Sequence, residues 1–522
     1  MTTPAHRPFL LSQLIPAAAD RDADAAALFD GTDRITYGAL EGRVGRLSAA
    51  LQDRGVGDGD RVVIHAPKSI DTFVAMHAAM RAGGIAVPMN PRLGDRAIAD
   101  IVGSVEPAAA VLHPTTAGRW PAETRISVTV GTPLEHSTGH LSWDEIEAGT
   151  ARGPTNRTGA DPAYMITTSG STGRPKSIVH THRSGLRYAE LAAECYDLDT
   201  ADSMANIAPF HFDQSTFELY AGPLVGARVV LVSDVLLRFP ANLGTLVETE
   251  EVTVWYSVPT ILRQLLDRGG LTDSTLRHLR WVLFGGEVFP ANELRTLMQL
   301  APGARFSNVY GPAELNQCTF HHLDAAPGDG DSIPIGEAWA DTRCRIVARD
   351  PEVTDVNARV GELLVHSSTT MAAYWNQPGP TAAAFVDEPG PGGLVTRWYR
   401  TGDLVERDEA GLLHFRGRID RQVKVRGVRI ELEAVEAALN AIEGVTASAA
   451  GVTRTGALGA LIESTTLTDI KAIRRALAET LSPESQPEFV EITASLPRTG
   501  SDKVDHAAVT DTIATLGDDA AN

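Results

Sequence analysis

Residues 164–177 read Y-M-I-T-T-S-G-S-T-G-R-P-K-S, an apolar run followed by a loop of small residues. The apolar residues up to Ile166 predict a β-strand. The loop offers hydroxyls and unhindered backbone N–H groups, from which concave anion sites are built, and Lys176 adds a positive charge. The stretch therefore predicts a phosphate-binding loop, whose small residues are Ser169, Gly170, Ser171, Thr172 and Gly173.

The nearest familiar nucleotide loop is GxxxxGK[ST], but this stretch differs from it at one position. Pro175 stands where the second glycine belongs, and proline removes an N–H donor and fixes φ. The stretch is therefore not a Walker loop. A Ser/Gly-rich surface connection is the alternative interpretation of these residues alone, and the motifs elsewhere in the chain decide between the two.

Composition and charge narrow the class of protein. A chain of 522 residues exceeds what one core usually supports, so at least two domains are expected. The net charge of −20 disfavours nucleic acid as a partner, which needs clustered Lys and Arg. Three widely spaced cysteines form neither a disulfide framework nor a zinc pattern. Without a secretory leader or a run of about 18 apolar residues, the sequence predicts a cytoplasmic protein away from membranes.

Alternating strand and helix patterns follow on both sides of the loop. They predict an α/β fold with parallel-rich sheets covered by helices. The expected strands lie at 60–66, 85–88, 228–232, 252–256 and 279–284, and the expected helices at 70–80, 240–249 and 259–268. From about 340 to 418 the pattern changes to short strands with Gly and Pro turns, which predicts a small β subdomain.

A domain boundary is predicted near residues 418–421. The chain would then consist of a large N-terminal domain (1–419) and a small α+β C-terminal domain (420–522), which is long enough to fold independently. The expected C-terminal elements are helices at 431–439 and 469–481 and strands at 445–453, 459–463 and 488–492.

Five motifs occur in an order that is typical of one family. They are T-S-G-S-T-G-R-P-K at 168–176, Y-G-P-A-E at 310–314, Y-R-T-G-D at 399–403, G-R-I-D at 417–420 and P-R-T-G-S-D-K-V-D at 497–505. With these motifs the chain resembles the acyl-adenylate-forming superfamily, and especially free-standing amino-acid adenylation enzymes of nonribosomal peptide synthesis. The resemblance runs from about residue 35 to 505.

The resemblance implies roles in joining a carboxylate to the α-phosphate of ATP. Lys176 and the loop would grip the β- and γ-phosphates, Glu314 would help to hold Mg²⁺, and Lys503 would bridge the substrate carboxylate and the α-phosphate. Asp502 replaces a common glycine beside that lysine. The nucleotide-binding residues that the resemblance implies are Thr168, Ser169, Gly170, Ser171, Thr172, Gly173, Gly286, Asn308, Tyr310, Gly311, Ala313, Asp403 and Arg418.

The implied amino-acid pocket contains one charged residue. Asp213, in the F-D-Q-S motif, would pair with the substrate ammonium. A pocket without a second charge disfavours charged substrate side chains, which leaves a small neutral amino acid. The pocket is similar to that of free-standing proline-activating relatives at Tyr256, Leu283, Val309 and Cys318, and it departs from them at Gln214 and Gln317. The resemblance therefore implies L-proline or another small neutral amino acid. The residues that line this pocket in relatives correspond to Asp213, Gln214, Phe217, Tyr256, Leu283, Gly285, Val309, Gln317 and Cys318.

A second half-reaction is implied as well. In the family the mobile C-terminal domain rotates about a residue that corresponds to Asp420, and the stretch around Gly427 then replaces the lysine at the site. The acyl group would pass to the phosphopantetheine thiol of a separate carrier protein. The need for a small helper protein stays open.

Two other functions are compatible with the same motifs. An acyl-CoA ligase would act on a non-amino carboxylic acid, and Asp213 argues against it because a buried carboxylate without a cation is costly. A catalytically silent carrier-binding protein would not need Lys176, Glu314, Asp403 and Lys503. Taken singly, these residues also have structural interpretations, such as a turn for Asp403 or a helix start for Glu314.

Overall fold

The structure is a computed structural model that describes residues 7–121, 128–135, 137–168, 175–348, 358–467, 469–498 and 504–516. Its helices are α1 (Leu14–Arg21), α2 (Tyr37–Asp53), α3 (Ile70–Arg81), α4 (Asp95–Val105), α5 (Pro114–Ala117), α6 (Trp143–Glu147), α7 (His182–Cys195), α8 (Gly222–Val225), α9 (Pro240–Thr249), α10 (Pro259–Arg268), α11 (Asp273–Leu276), α12 (Ala291–Leu300), α13 (Pro378–Ala383), α14 (Leu432–Asn440), α15 (Ile470–Thr480) and α16 (His506–Thr515).

The strands of the N-terminal region come first in the chain. They are β1 (Ala26–Phe29), β2 (Arg34–Thr36), β3 (Arg61–His65), β4 (Ile85–Pro88), β5 (Ala109–Leu112), β6 (Val128–Gly131), β7 (His140–Leu141), β8 (Pro162–Thr168), β9 (Lys176–Thr181), β10 (Ser203–Asn206), β11 (Arg228–Leu231), β12 (Val254–Ser257), β13 (Trp281–Gly285), β14 (Arg305–Tyr310), β15 (Thr319–Leu323) and β16 (Glu337–Ala338).

The remaining strands belong to the β subdomain and the C-terminal region. They are β17 (Thr342–Val347), β18 (Val360–Ser367), β19 (Ala373–Tyr374), β20 (Phe385–Pro389), β21 (Val395–Arg407), β22 (Leu413–Arg418), β23 (Gln422–Val425), β24 (Val428–Glu431), β25 (Ala447–Val452), β26 (Leu458–Glu463) and β27 (Phe489–Thr493).

Two large sheets form the N-terminal region. The first has the order β16-β15-β14-β13-β12-β10-β11-β1-β2, and the second β19-β9-β8-β4-β3-β5-β6-β7. Their central strands are parallel, and antiparallel pairs occur toward the edges. The expected α/β fold with parallel-rich sheets is thus confirmed. The largest core cluster joins both sheets and the helices α2, α3 and α7, through side chains such as Leu40, Phe73, Tyr164, Tyr188 and Met204.

Local sequence signals fix where several helices begin. The Ser69 hydroxyl accepts the Thr72 N–H at 3.3 Å, so α3 starts with a capping box. Thr181 caps α7 in the same way, and the Asp469 carboxylate accepts the Lys471 N–H at the start of α15. For α3 and α15 these capped ends match, within one residue, the helix starts that the sequence predicted at residues 70 and 469.

The β subdomain is the antiparallel sheet β17-β18-β21-β20, with β22 paired to β21, and it agrees with the short-strand pattern. Beyond it, the hairpin β23–β24 and the sheet β25-β26-β27 have their own apolar clusters with α14, α15 and α16. A separate core is what an independent domain requires. The boundary between residues 419 and 420 stays a prediction. Within the described ranges, none of the helices combines the length and apolar character that crossing a bilayer requires.

The C-terminal region packs against α4 and the loop before it. Asn90 Nδ2 donates to Glu484 Oε2 at 3.1 Å, and Arg92 pairs with the same carboxylate. Gly94 lies so close to α15 that a Cβ there would stand 2.1 Å from the Ala478 carbonyl oxygen. These contacts hold the hairpin β23–β24 over the cleft between the two regions.

Candidate active site

The site is a cleft of about 1190 Å³ between the N-terminal and C-terminal regions. Loops that follow β10, β12, β13 and β14 at one edge of the first sheet line it, as ligand sites in parallel sheets usually are. Thr168, Asp403 and the hairpin β23–β24 also line it. Residues from four of the five sequence motifs therefore meet in one cavity.

The phosphate-loop prediction falls largely outside the described residues. Ser169, Gly170, Ser171, Thr172 and Gly173 belong to the range that the structure does not describe, as does Lys503. The loop's two ends are described, and they are antiparallel, with Thr168 paired to Lys176. The loop therefore connects two strands, whereas a Walker loop connects a strand to a helix.

Lys176 extends from the first position of β9 toward the cleft. Its Nζ lies 3.8 Å from Glu431 Oε1 and 5.9 Å from the centre of the Tyr374 ring. The side chain is 18% exposed. A phosphate that reached this point would have to compete with Glu431 for the ammonium.

Glu314 is buried, with its side chain only 1% exposed, and it is fully engaged. The Tyr374 hydroxyl donates to its Oε1 at 2.7 Å, and Arg429 Nη1 donates to both oxygens at 3.1 and 3.0 Å. Burial by itself would raise the pKa of Glu314, but the Arg429 guanidinium and the Tyr374 hydroxyl outweigh it and hold the pKa below its ordinary value of 4.5.

The donor set around Glu314 fits a magnesium ion that is bound mainly by a nucleotide. Among the residues that the structure describes, no group of three or more His, Cys, Asp or Glu side chains could hold a metal by itself. Mg²⁺ in nucleotide sites is commonly held by one or two carboxylates together with phosphate oxygens and waters. The single buried carboxylate of Glu314, next in the chain to the cleft-lining Ala313, meets that requirement.

Three of the residues expected to bind the nucleoside are connected to one another by hydrogen bonds, and Asn308 has a separate partner. The Tyr310 hydroxyl donates to Asp403 Oδ2 in a short hydrogen bond, and Arg418 Nη1 donates to Asp403 Oδ1 at 2.6 Å. Asn308 Nδ2 donates to the Pro334 carbonyl oxygen at 2.7 Å. Gly286, Gly311 and Ala313 line the same cleft. Tyr310 and Arg418 thus fix the orientation of the Asp403 carboxylate, which also lines the cleft.

The nine residues expected at the amino-acid pocket divide into two groups. Asp213, Gln214, Tyr256 and Val309 line the cleft. Asp213 begins a short 3-10 turn, and burial raises its pKa although the Lys424 ammonium opposes this. A carboxylate in that environment favours a cationic partner.

The other five residues lie behind the cleft wall. Phe217, Leu283 and Cys318 are fully buried, and a Cβ at Gly285 would stand 2.1 Å from the Val309 carbonyl oxygen. Gln317 Nε2 donates to the Tyr196 hydroxyl at 2.9 Å. In this arrangement they support the pocket wall, and their contact with a substrate stays a prediction.

The expected hinge and thiol-transfer residues lie beside the cleft. Asp420 accepts from Arg418 Nε at 2.8 Å and from Nη2 at 2.7 Å. Gly427 has φ of +77°, and a Cβ there would stand 2.2 Å from Val258 Cγ1. Only glycine fits this turn without displacing Val258.

Sequence reasoning missed that the segment around Gly427 is a hairpin that carries charges into the site. Lys424, Arg429 and Glu431 were not singled out, although all belong to β23 or β24. A signal was available, because polar and apolar residues alternate through Q-V-K-V-R-G-V-R-I-E around a two-residue turn that ends in glycine. Arg426 and Gly427 both have positive φ, as a type I′ turn requires.

Comparisons with known proteins agree with this geometry. A family model described as AMP-binding enzyme matches residues 15–375. The chain is 33% identical over 495 residues to an L-proline--[L-prolyl-carrier protein] ligase of Pseudomonas fluorescens, covering 92% of this chain and 95% of the relative. It is also 33% identical over 425 residues to a protein of the same name from Streptomyces coelicolor, covering 78% of each.

Solved structures show the same fold. The adenylation domain AlmE of Vibrio cholerae, in complex with glycyl-adenosine-5′-phosphate, superposes with a TM-score of 0.82 over 99% of this chain and 100% of that one, at 23% identity. The crystal structure of IdnL1 gives a TM-score of 0.78 at 27% identity, covering 94% of this chain and 100% of that one.

Proposed function

The chain belongs to the AMP-binding enzyme family and is an ATP-dependent ligase that activates an amino acid, and we propose that this amino acid is L-proline. The acceptor that we propose is the phosphopantetheine thiol of a separate carrier protein. Two relatives are named L-proline--[L-prolyl-carrier protein] ligase. The match with this chain covers 95% of the first relative and 78% of the second. We propose that the enzyme is cytoplasmic, because its three cysteines are free thiols and its net charge is −20.

The observation that carries the proposal is the position of Asp213. It lines the same cleft as Asp403, so an amino acid paired with Asp213 would share the cleft with a nucleotide bound at Asp403. Lys424 is the cation near Asp213 in this arrangement. In a conformation in which the hairpin leaves the cleft, the ammonium of the substrate would take its place.

The character of the cleft wall supports a small neutral side chain. Tyr256 and Val309 give apolar surface next to Asp213, and Gln214 adds a neutral amide. A charged side chain would be left without a partner at a cost of several kcal/mol by burial of an isolated ion. Selection among small apolar amino acids rests on only about 1–3 kcal/mol per methylene, so the preference for proline draws on the relatives as well.

In the first step, a carboxylate oxygen of the amino acid attacks the α-phosphorus of ATP. The bond from that phosphorus to the bridging oxygen breaks, and its electron pair leaves with pyrophosphate. Lys176 stabilises the charge that develops on the leaving group, and Asp403, held by Tyr310 and Arg418, orients the ribose by accepting from its hydroxyls. Mg²⁺ with Glu314 would neutralise phosphate charge, and Lys503 would bring the reacting groups together.

In the second step, the carrier thiol displaces AMP from the aminoacyl group. The arrangement described here suits this step, because Gly427 leaves space beside Val258 where any side chain would intrude. Rotation about Asp420 between the two steps would exchange Lys503 for the hairpin. Neither nucleic acid nor a membrane is part of this proposal.

ATP–pyrophosphate exchange across a panel of amino and non-amino carboxylic acids tests the proposal. We expect the highest rate with L-proline, lower rates with other small neutral amino acids and none with charged ones. Exchange confined to charged or large aromatic amino acids would overturn the substrate, and exchange with non-amino acids alone would favour an acyl-CoA ligase.

A further inference from the structure

A continuous chain of polar contacts joins the hairpin β23–β24 to the N-terminal region at two points. Arg429 Nη1 donates to Glu314, and Arg429 Nε donates to Gln422 Oε1 at 2.8 Å. Gln422 Nε2 in turn donates to Glu431 Oε1, which lies 3.8 Å from Lys176 Nζ. Gln422 thus connects two ion pairs that cross the interface. The hairpin supplies the cation of one pair and the anion of the other.

Both partners in the N-terminal region are groups that the first step needs. Glu314 is the carboxylate that fits Mg²⁺, and Lys176 is the cation that faces the nucleotide phosphates. In this arrangement a guanidinium pairs with Glu314, where the metal cation would bind, and a carboxylate pairs with Lys176, where a phosphate would bind. The side chains of Glu314 and Glu431 are only 1% and 3% exposed, so solvent hardly reaches either carboxylate.

We propose that Arg429 and Glu431 are positioning residues that hold the thiol-transfer arrangement by replacing the magnesium ion at Glu314 and the phosphates at Lys176. This inference rests on the proposed roles of Glu314 and Lys176 in adenylation. Binding of Mg²⁺·ATP or retention of Mg²⁺·pyrophosphate then excludes the hairpin from the cleft. Release of pyrophosphate exposes both charges at once and lets the hairpin close.

Electrostatics explains why the exchange of partners would be coupled and reversible. A buried charge that loses its partner is strongly destabilised, so neither Glu314 nor Lys176 can be left bare in a closed cleft. Glu314 and Lys176 can each pair with an oppositely charged group on the ligand or with one on the hairpin. Because binding free energies are reciprocal, a ligand that expels the hairpin must bind more tightly once the hairpin's charges are removed.

Hydrogen exchange of the peptide that covers residues 422–431 tests the first half of this inference. The probe is Mg²⁺ with an ATP analogue whose bridge between the α- and β-phosphorus is a methylene, so that no adenylate forms. In the unaltered protein we expect amide exchange in this peptide to become at least several-fold faster when the probe is added. Unchanged exchange at saturating probe would overturn the inference.

Affinity for the same probe tests the second half. Arg429→Met and Glu431→Gln keep the size of each side chain and remove its charge. We expect either variant to bind the probe more tightly, by about tenfold, which lies in the usual range of coupling between sites. Arg345→Met is the matched control, because Arg345 donates to Glu388 through two nitrogens at 3.2 and 3.0 Å in the β subdomain, away from the cleft.

The outcomes separate this inference from the proposed function. Arg429→Met or Glu431→Gln that folds and binds the probe with the affinity of the unaltered protein would overturn the positioning role, even if exchange with L-proline is intact. A failure of exchange with every amino acid, together with faster hydrogen exchange on adding the probe, would overturn the proposed function and leave the positioning role standing. If one variant fails to fold, the other still gives the affinity comparison.

Discussion

Arg418 holds Asp403 and Asp420 at the same time, through separate nitrogen atoms. Nη1 donates to Asp403 at 2.6 Å, while Nε and Nη2 bind Asp420 as a two-point pair at 2.8 and 2.7 Å. One side chain thus links the carboxylate expected to bind ribose with the residue expected to act as hinge. The planar guanidinium makes this possible, because lysine has no such fork.

We predict that Arg418→Lys raises the KM for ATP by about tenfold, since the lysine can serve only one of the two carboxylates and each charged hydrogen bond is typically worth about 1.5–3 kcal/mol. ATP–pyrophosphate exchange at varied ATP measures this. Arg416→Lys is the control, because Arg416 pairs with Glu406 at an exposed position two residues away. Equal KM values for both variants would contradict the linking role.

The turn at Gly427 gives a prediction that separates the two half-reactions. We expect Gly427→Leu to leave ATP–pyrophosphate exchange within about threefold and to abolish carrier loading, because the side chain would collide with Val258 only when the hairpin is in the cleft. Lys503→Ala should do the reverse and spare the transfer of preformed aminoacyl-AMP. Loss of exchange together with normal loading in Gly427→Leu would refute the two-conformation scheme.

Gly94 offers a steric test of the same arrangement at a different contact. Gly94→Ala places a methyl group 2.1 Å from the Ala478 carbonyl oxygen, so α15 would have to move away from α4. We predict slower loading of the carrier, by on the order of tenfold for about 1.4 kcal/mol of destabilisation of this arrangement, with exchange unchanged.

The control for this contact lies on the same helix. A Cβ at Gly103 has open space around it, so Gly103→Ala should leave both rates as they are. If Gly94→Ala and Gly103→Ala load the carrier equally well, the packing of α15 on α4 plays no part in the second step.

Sequence patterns predicted best those elements whose buried face can be recognised from residues close together in the chain. Helix α3, with its Ser69 cap, and the strands around β3 and β12 follow from apolar periodicity and capping within a dozen residues. The hairpin β23–β24 was missed because its charged residues find their partners only across the interface, at Glu314 and Lys176. Periodicity reports which face of an element is buried, but it carries no information on such distant pairs.

The same reason separates the predicted site residues. Asp213 and Asp403 could be assigned to a cleft because their motifs are short and self-contained, and both line it. Phe217, Leu283 and Cys318 were expected there with them; they are fully buried in the structure, and their contact with a substrate stays a prediction. Which side of a strand faces a cavity depends on how two sheets pack, and that is a property of the whole fold.

A buried histidine makes the stability of the protein depend on pH. His77 is 1% exposed, and burial lowers its pKa to about 4, although the hydrogen bond between its Nε2 and the Leu219 carbonyl oxygen opposes this. The unfolded chain binds a proton here between pH 6.5 and 4 that the folded protein does not bind, so the free energy of unfolding falls as the pH falls through that range.

We predict that His77→Gln reduces this pH dependence by on the order of 2 kcal/mol between pH 7.5 and 5, because glutamine keeps a donor for Leu219 but does not titrate. Urea unfolding of both proteins at the two pH values gives the difference. An identical difference for His77→Gln and the unaltered protein would show that His77 does not titrate as described.

The pairing of Asp213 with a substrate ammonium is tested most directly by comparing L-proline with (S)-tetrahydrofuran-2-carboxylic acid, which has the same ring and carboxylate but an oxygen in place of the amine. In ATP–pyrophosphate exchange we predict that the unaltered enzyme favours proline by ten- to a hundredfold, from about 1.5–3 kcal/mol for a charge-assisted contact, and that Asp213→Ala loses this preference. Equal rates with the two acids in the unaltered enzyme, or a preference for proline that survives Asp213→Ala, would contradict amino-acid recognition at Asp213.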